Sequence, residues 1–170
     1  MRWLGRSGAP EFAALVQKSE AWLASRPPQE AASEVQRYDR ARLRYLAGRD
    51  AEARAEGEAL EREFPDNRLY RGFVGSCAAR CGDTEGARVA LTWRRAVDLK
   101  YRFGHHKFLQ AQITALLGQR DDALRLLREA KAQFAAPVEG INSLTDVLLN
   151  PDFESPATDS EFKAILAPQG

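Results

Sequence analysis

The sequence predicts an all-α protein, built from about three repeated helical hairpins with an extra helix before them and capping helices after them. Three observations carry this. The 170 residues lean on Ala, Arg, Leu and Glu, all good helix formers, and lack the β-branched runs of a sheet protein. Glycines recur just before helix-like runs at Gly48, Gly82 and Gly118, spaced by 34 and then 36 residues. Each glycine keeps the same company, with an alanine five residues later (Ala53, Ala87, Ala123) and a small residue seven before (Ala41, Gly75, Ala111).

The elements follow in order. A lone helix is expected over 10–25, with Pro10 in its first turn, where a missing N–H costs nothing, and Pro27 and Pro28 ending it. Hairpin one occupies 29–47 and 50–63 within a repeat of 29–66; hairpin two, 67–81 and 84–99 within 67–102; hairpin three, 103–117 and 120–134 within 103–136. Each turn glycine is free to take the left-handed conformation that ends a helix. Asp50, Asp83 or Asp121 then stands at the next helix start, where a carboxylate meets unpaired N–H groups and the positive dipole end. Alanine or glycine on both facing helices allows close approach. Pro137 and Gly140 interrupt the pattern, and short helices near 141–149 and 159–167 complete a capping tail of 140–170. The whole chain, 1–170, reads as a single domain.

A period near 34 with a turn glycine, a packing alanine and a closing alanine resembles the tetratricopeptide repeat family. The best stretch holds Gly118, Ala123, Leu127 and Ala130, and repeat one ends on Phe64-Pro65-Asp66-Asn67, like the family's proline-containing link. The first helices depart from the pattern: Arg37, Arg40 and Arg44, and later Lys107, Gln110 and Thr114, stand where the family places Trp, Leu and Tyr. Tyr38, Tyr45, Phe108 and Ile113 sit one residue away, as a rotated helix would have them. The resemblance implies a right-handed superhelical array with a concave inner wall. The tail, with Pro151, Phe153 and Phe162, resembles the segment that ends such arrays in many bacterial proteins, kinases and regulators among them. A solenoid exposes an apolar face at its last repeat, and Phe153, Phe162, Ile165 and Leu166 suit the task of covering it.

Charge and composition narrow the function. Twenty-five basic residues against twenty-four acidic ones leave a net charge of +1, without the concentrated basic field that nucleic acid or an anionic membrane requires. No apolar stretch approaches the roughly 20 residues of a membrane-spanning helix, and the start carries no signal-peptide core. A cytoplasmic location is expected. Cys77 and Cys81, one helical turn apart, with His105 and His106 on the next hairpin, are zinc-ligand types at a spacing no standard site uses. They read instead as small buried residues between helices, with no metal. No phosphate loop, nucleophile elbow or zinc-protease motif is present, so no enzyme activity and no cofactor are expected.

That leaves a surface. The resemblance implies that the first helix of each hairpin lines the concave wall. Its successive turns present Tyr38, Arg42 and Tyr45, then Ser76 and Arg80, then His105, Phe108 and Gln112 as partner-binding residues. The family's clamp for acidic peptide ends, built from paired Lys, Asn and Arg, is not matched by Tyr38, Arg42, Phe73, Ser76, His105 and Leu109. Reversing the charge of Arg42 and Arg80 together is expected to abolish partner capture with little change in melting. Arg37, Arg40 and Arg44 form a basic stripe expected to pair with the acidic second helix, the alternative being an anchor for an acidic peptide. A protein-binding scaffold in a bacterial signalling or regulatory assembly is the leading expectation. Self-association into a homo-oligomer and a small-molecule or metal site in the groove are the alternatives.

Overall fold

Helix breaks fall at the three repeat glycines, in a computed structural model that describes residues 10–97, 104–133, 151–153 and 160–166. Gly48, Gly82 and Gly118 all have φ between 73° and 78°. At Gly48 the Arg49 N–H reaches back to the Arg44 carbonyl (2.9 Å) and the Gly48 N–H to that of Tyr45 (3.1 Å). Gln119 and Gly118 repeat the pattern onto Thr114 and Ala115 at 3.1 and 2.9 Å. This is the Schellman closure, which satisfies the last carbonyls of a helix and needs a residue at ease with positive φ. Among the described residues every regular element is helical and none is a strand. The chain divides into two compact units, Met1–Cys81 and Gly82–Gly170, at the turn of the second expected hairpin.

The first unit holds α1 (Pro10–Ala24), α2 (Pro28–Ala31), α3 (Glu34–Leu46), α4 (Asp50–Glu63) and α5 (Arg68–Arg80). The helix expected to run unbroken from 29 to 47 is two helices. Ser33, in an extended conformation, accepts the Gln36 N–H through its hydroxyl at 3.4 Å and donates to the Glu30 carbonyl at 2.6 Å. It ends α2 and starts α3, which is what a serine N-cap does. Small residues then let α3, α4 and α5 close on one another. Ala41, Ala53 and Cys77 are fully buried beside Tyr45 and Phe73, with Tyr38 packed against the cluster. The rings meet edge-on or tilted, Tyr38 5.2 Å from Tyr70 and 5.4 Å from Phe73, and Tyr45 5.5 Å from Phe73.

A polar tie joins α3 to α5. Asn67 caps α5 by accepting the Leu69 N–H at 3.2 Å, and donates through its amide to Glu34 at 2.8 Å. The Tyr70 hydroxyl donates to the same Glu34 oxygen at 2.6 Å. The Tyr70 bond first, and then the Asn67 bond, hold the Glu34 carboxyl below its ordinary 4.5. Burial, and then the Glu34 partner, push the Tyr70 phenol well above its own ordinary value. A carboxyl with a lowered folded-state pKa stabilises the fold above its unfolded value, and that contribution is lost as pH falls through the folded one. Melting temperature is therefore expected to drop as pH falls below 4.5, and Glu34→Gln to flatten that part of the profile. An unaltered acid limb in the variant would remove Glu34 from the account.

The second unit holds α6 (Thr84–Ala96), α7 (His105–Leu116), α8 (Arg120–Gln133), a 3-10 turn at Pro151–Phe153 and α9 (Ser160–Leu166). Asp83 caps α6 by accepting the Gly86 N–H at 2.9 Å. The helix stops at Ala96, short of the expected 99, because Val97 is extended. α7 begins at His105, later than expected, because Gly104 before it has φ 76°. A Cβ at Gly104 would sit 2.4 Å from the Ala130 carbonyl oxygen, so the position demands glycine for space as well as for φ. Phe108, Ala111, Leu124, Leu126, Leu127 and Ala130 pack with Phe153, Phe162 and Ile165 into one core. The tail thus covers α7 and α8 as expected. Its polar rim is Glu161 with Arg120 (2.9 Å) and with Arg128, and the Lys131 ammonium donating to the Ile165 carbonyl. The helix expected near 141–149 and the Leu166 side chain lie outside the described residues.

Candidate interaction surface

Helix α3 has three distinct faces, two of them packed and one exposed. Arg37, Arg40 and Arg44 turn toward α4, where Arg37 pairs with Glu56 at 2.8 Å and with Glu63. Arg40 lies 3.9 Å from Glu56, and Arg44 3.6 Å from Glu52. The expected pairing of the basic stripe inside hairpin one is therefore present, and these arginines are engaged. The second face, Tyr38, Ala41 and Tyr45, enters the core. Val35, Asp39, Arg42 and Leu46, at spacings of four, three and four, form the third face and are all exposed. Val35 keeps 65% of its surface accessible.

The expected contact residues divide accordingly. Tyr38, Tyr45, Ser76 and Arg80 fall in one unit with Arg42, and of these five Arg42 alone is on the exposed face. Its guanidinium lies 5.9 Å from the Tyr38 ring, at the outer limit of a cation–π contact. Arg80 does something else. Its side chain is only 8% exposed, stacks 3.5 Å from the Tyr45 ring centroid, and donates to the Tyr45 carbonyl (2.6 Å) and to Asp50 (3.0 Å). One side chain on α5 thereby closes the C-terminus of α3 and the N-terminus of α4 together. In the other unit, Phe108 is buried with its ring 5.7 Å from Phe153, and the Gln112 amide donates to Asp152 at 3.2 Å. Both join α7 to the tail. The His105 side chain lies outside the described residues.

Reading the chain by its repeat missed Val35, Asp39 and Leu46. The signal was available, since the four residues share one helical stripe with an apolar residue at each end. The repeat pattern drew attention instead to positions it marks as packing. Cys77 is buried, as expected, but Cys81 is exposed, because α5 ends at Arg80 and Cys81 is its C-cap. Among the described residues no three His, Cys, Asp or Glu side chains are grouped to hold a metal ion. An open cleft in the second unit is lined by Arg95, Val97, His106, Lys107, Gln110, Arg125 and Leu126. Lys107 and Arg125 both pair with Glu129 there, at 2.8 and 2.7 Å, which holds its carboxyl below the usual range. No helix among the described residues is long and apolar enough to cross a membrane. Comparison with protein-family models, with curated proteins and with solved structures finds no match to this chain.

Proposed function

We propose that the chain is a tetratricopeptide-like interaction scaffold, cytoplasmic and without catalytic activity. On this reading it binds a partner protein or peptide along the first helices of its hairpins, within a bacterial signalling or regulatory assembly. The observation that carries the proposal is the third face of α3. Its other two faces are occupied by α4 and by the core, while Val35, Asp39, Arg42 and Leu46 remain accessible along the whole helix. An arginine between apolar residues supplies area and directional donors together, a combination frequent at binding hot spots. The concave wall of a right-handed superhelical array, drawn from the repeat resemblance, gives this face its place.

Arg42→Glu tests the proposal. Pull-down of native partners from cell extract is expected to fail with the variant. The melting temperature should correspond to a stability change within about 0.5 kcal/mol, as for other exposed substitutions. Capture that survives Arg42→Glu would place the interface elsewhere on the molecule.

A further inference from the structure

A different surface of the first unit points to a second docking site. Val16, Leu23 and Pro28 are followed 37 residues later by Ala53, Leu60 and Pro65. Val16, Leu23, Ala53 and Leu60 are all buried. α1 and α4 are thus the same kind of element in the same register, each ended by proline. In α4 the flank beside the buried pair carries Glu52, Glu56 and Glu63, and it holds a helix: all three pair with the arginines of α3. The corresponding flank of α1 carries Leu15, Ser19 and Arg26, with Trp22 between them. It is open, Leu15 being 60% exposed and Trp22 52%.

We infer that this flank of α1 docks an acidic amphipathic helix of another polypeptide. Leu15 and Trp22 are two turns apart, about 10 Å along the helix, which suits apolar residues at the same spacing on a facing helix. Two cations border them. Lys18 is exposed beside the pair, and the Arg26 guanidinium lies 4.8 Å over the Trp22 ring. The only acid among the described side chains of α1, Glu20, is paired with Arg49 in the α3–α4 turn. Arg26 is shared with Glu30 of α2 at 2.8 Å. A second copy of the chain fits less well, since a two-fold contact centred between Leu15 and Trp22 sets Lys18 beside its own mate. Acidic side chains around an apolar seam complement the flank, as Glu52, Glu56 and Glu63 complement α3.

The probe is a synthetic helical peptide with leucines two turns apart and glutamates around them, followed by fluorescence anisotropy against the full chain. Its counterpart has lysine for every glutamate. The glutamate peptide is expected to bind, and the lysine peptide to bind at least about tenfold more weakly. Trp22→Glu and, separately, Leu15→Glu should abolish binding without lowering the melting temperature, because both side chains are exposed. Arg42→Glu should leave it intact, which separates this site from the α3 face. Equal binding of the two peptides, no binding of either, or binding unaffected by both variants would overturn the inference. So would a concentration-dependent dimer, seen by light scattering and lost in Trp22→Glu, which would give the flank to a second copy.

Discussion

Arg80→Ala is expected to destabilise the chain by about 2–3 kcal/mol, less than the roughly 3–5 kcal/mol for breaking a fully buried charge pair because the Asp50 side chain is 25% exposed. The substitution leaves the Asp50 carboxylate without its 3.0 Å partner and removes the donor at 2.6 Å on the Tyr45 carbonyl. It also uncovers the Tyr45 ring on which the guanidinium lies. The three losses fall at one point, where α3 ends and α4 begins. Arg80→Glu should be worse, because it sets a carboxylate against Asp50. Arg80→Lys should recover only part of the loss, since an ammonium can pair with Asp50 but cannot spread flat over a ring while forking to two acceptors. Denaturant titration checks the series. Melting of Arg80→Ala indistinguishable from that of Arg42→Ala would show that the clamp contributes nothing. The joint reversal of Arg42 and Arg80, expected from sequence to spare stability, is thus replaced as a binding test by Arg42→Glu alone.

Deleting residues 148–170 is expected to unfold the second unit or drive it to aggregate. The deletion removes Phe153, Phe162 and Ile165, which are 1%, 1% and 8% exposed in a shared core with α7 and α8. Burying such side chains is worth about 1.5–3 kcal/mol each, and their sum is comparable with the whole stability of a small domain. The faces of α7 and α8 left behind would form a contiguous apolar patch. Phe162→Ala, a milder version, should cost about 3–5 kcal/mol. Glu161→Gln should cost far less, because its partners Arg120 and Arg128 are half-exposed. Light scattering and thermal melting distinguish the outcomes. A truncated chain that stays monodisperse with unchanged melting would show that the tail is no cap.

Much of this architecture is legible in the sequence. Gly48, Gly82 and Gly118 mark helix ends because only a residue at ease with positive φ closes a Schellman turn cheaply, and that demand is local. Ala41 and Ala53 mark the contact of α3 with α4, and Ala111 and Ala123 that of α7 with α8, because small side chains let two backbones approach, and all four are fully buried. The basic stripe of α3 and the glutamates of α4 could be matched from spacing alone. The tail's phenylalanines announced burial by their size and by the apolar surface that had to be covered.

Other features depended on partners distant in sequence. The repeat resemblance implies that Arg42 and Arg80 line one concave wall, but not that Arg80 meets a tyrosine ring, a helix end and a carboxylate 30 or more residues away. Nor does it show that Tyr45 and Phe108 turn inward. Their neighbours at the usual core positions, Arg44 and Lys107, carry charges that find partners on the following helix, Glu52 and Glu129, and the helix settles with the aromatic side buried. Local chemistry set where helices start, stop and approach. Which face of each helix remained for another molecule was decided by tertiary pairing, because a charge is free or committed only according to what lies opposite it.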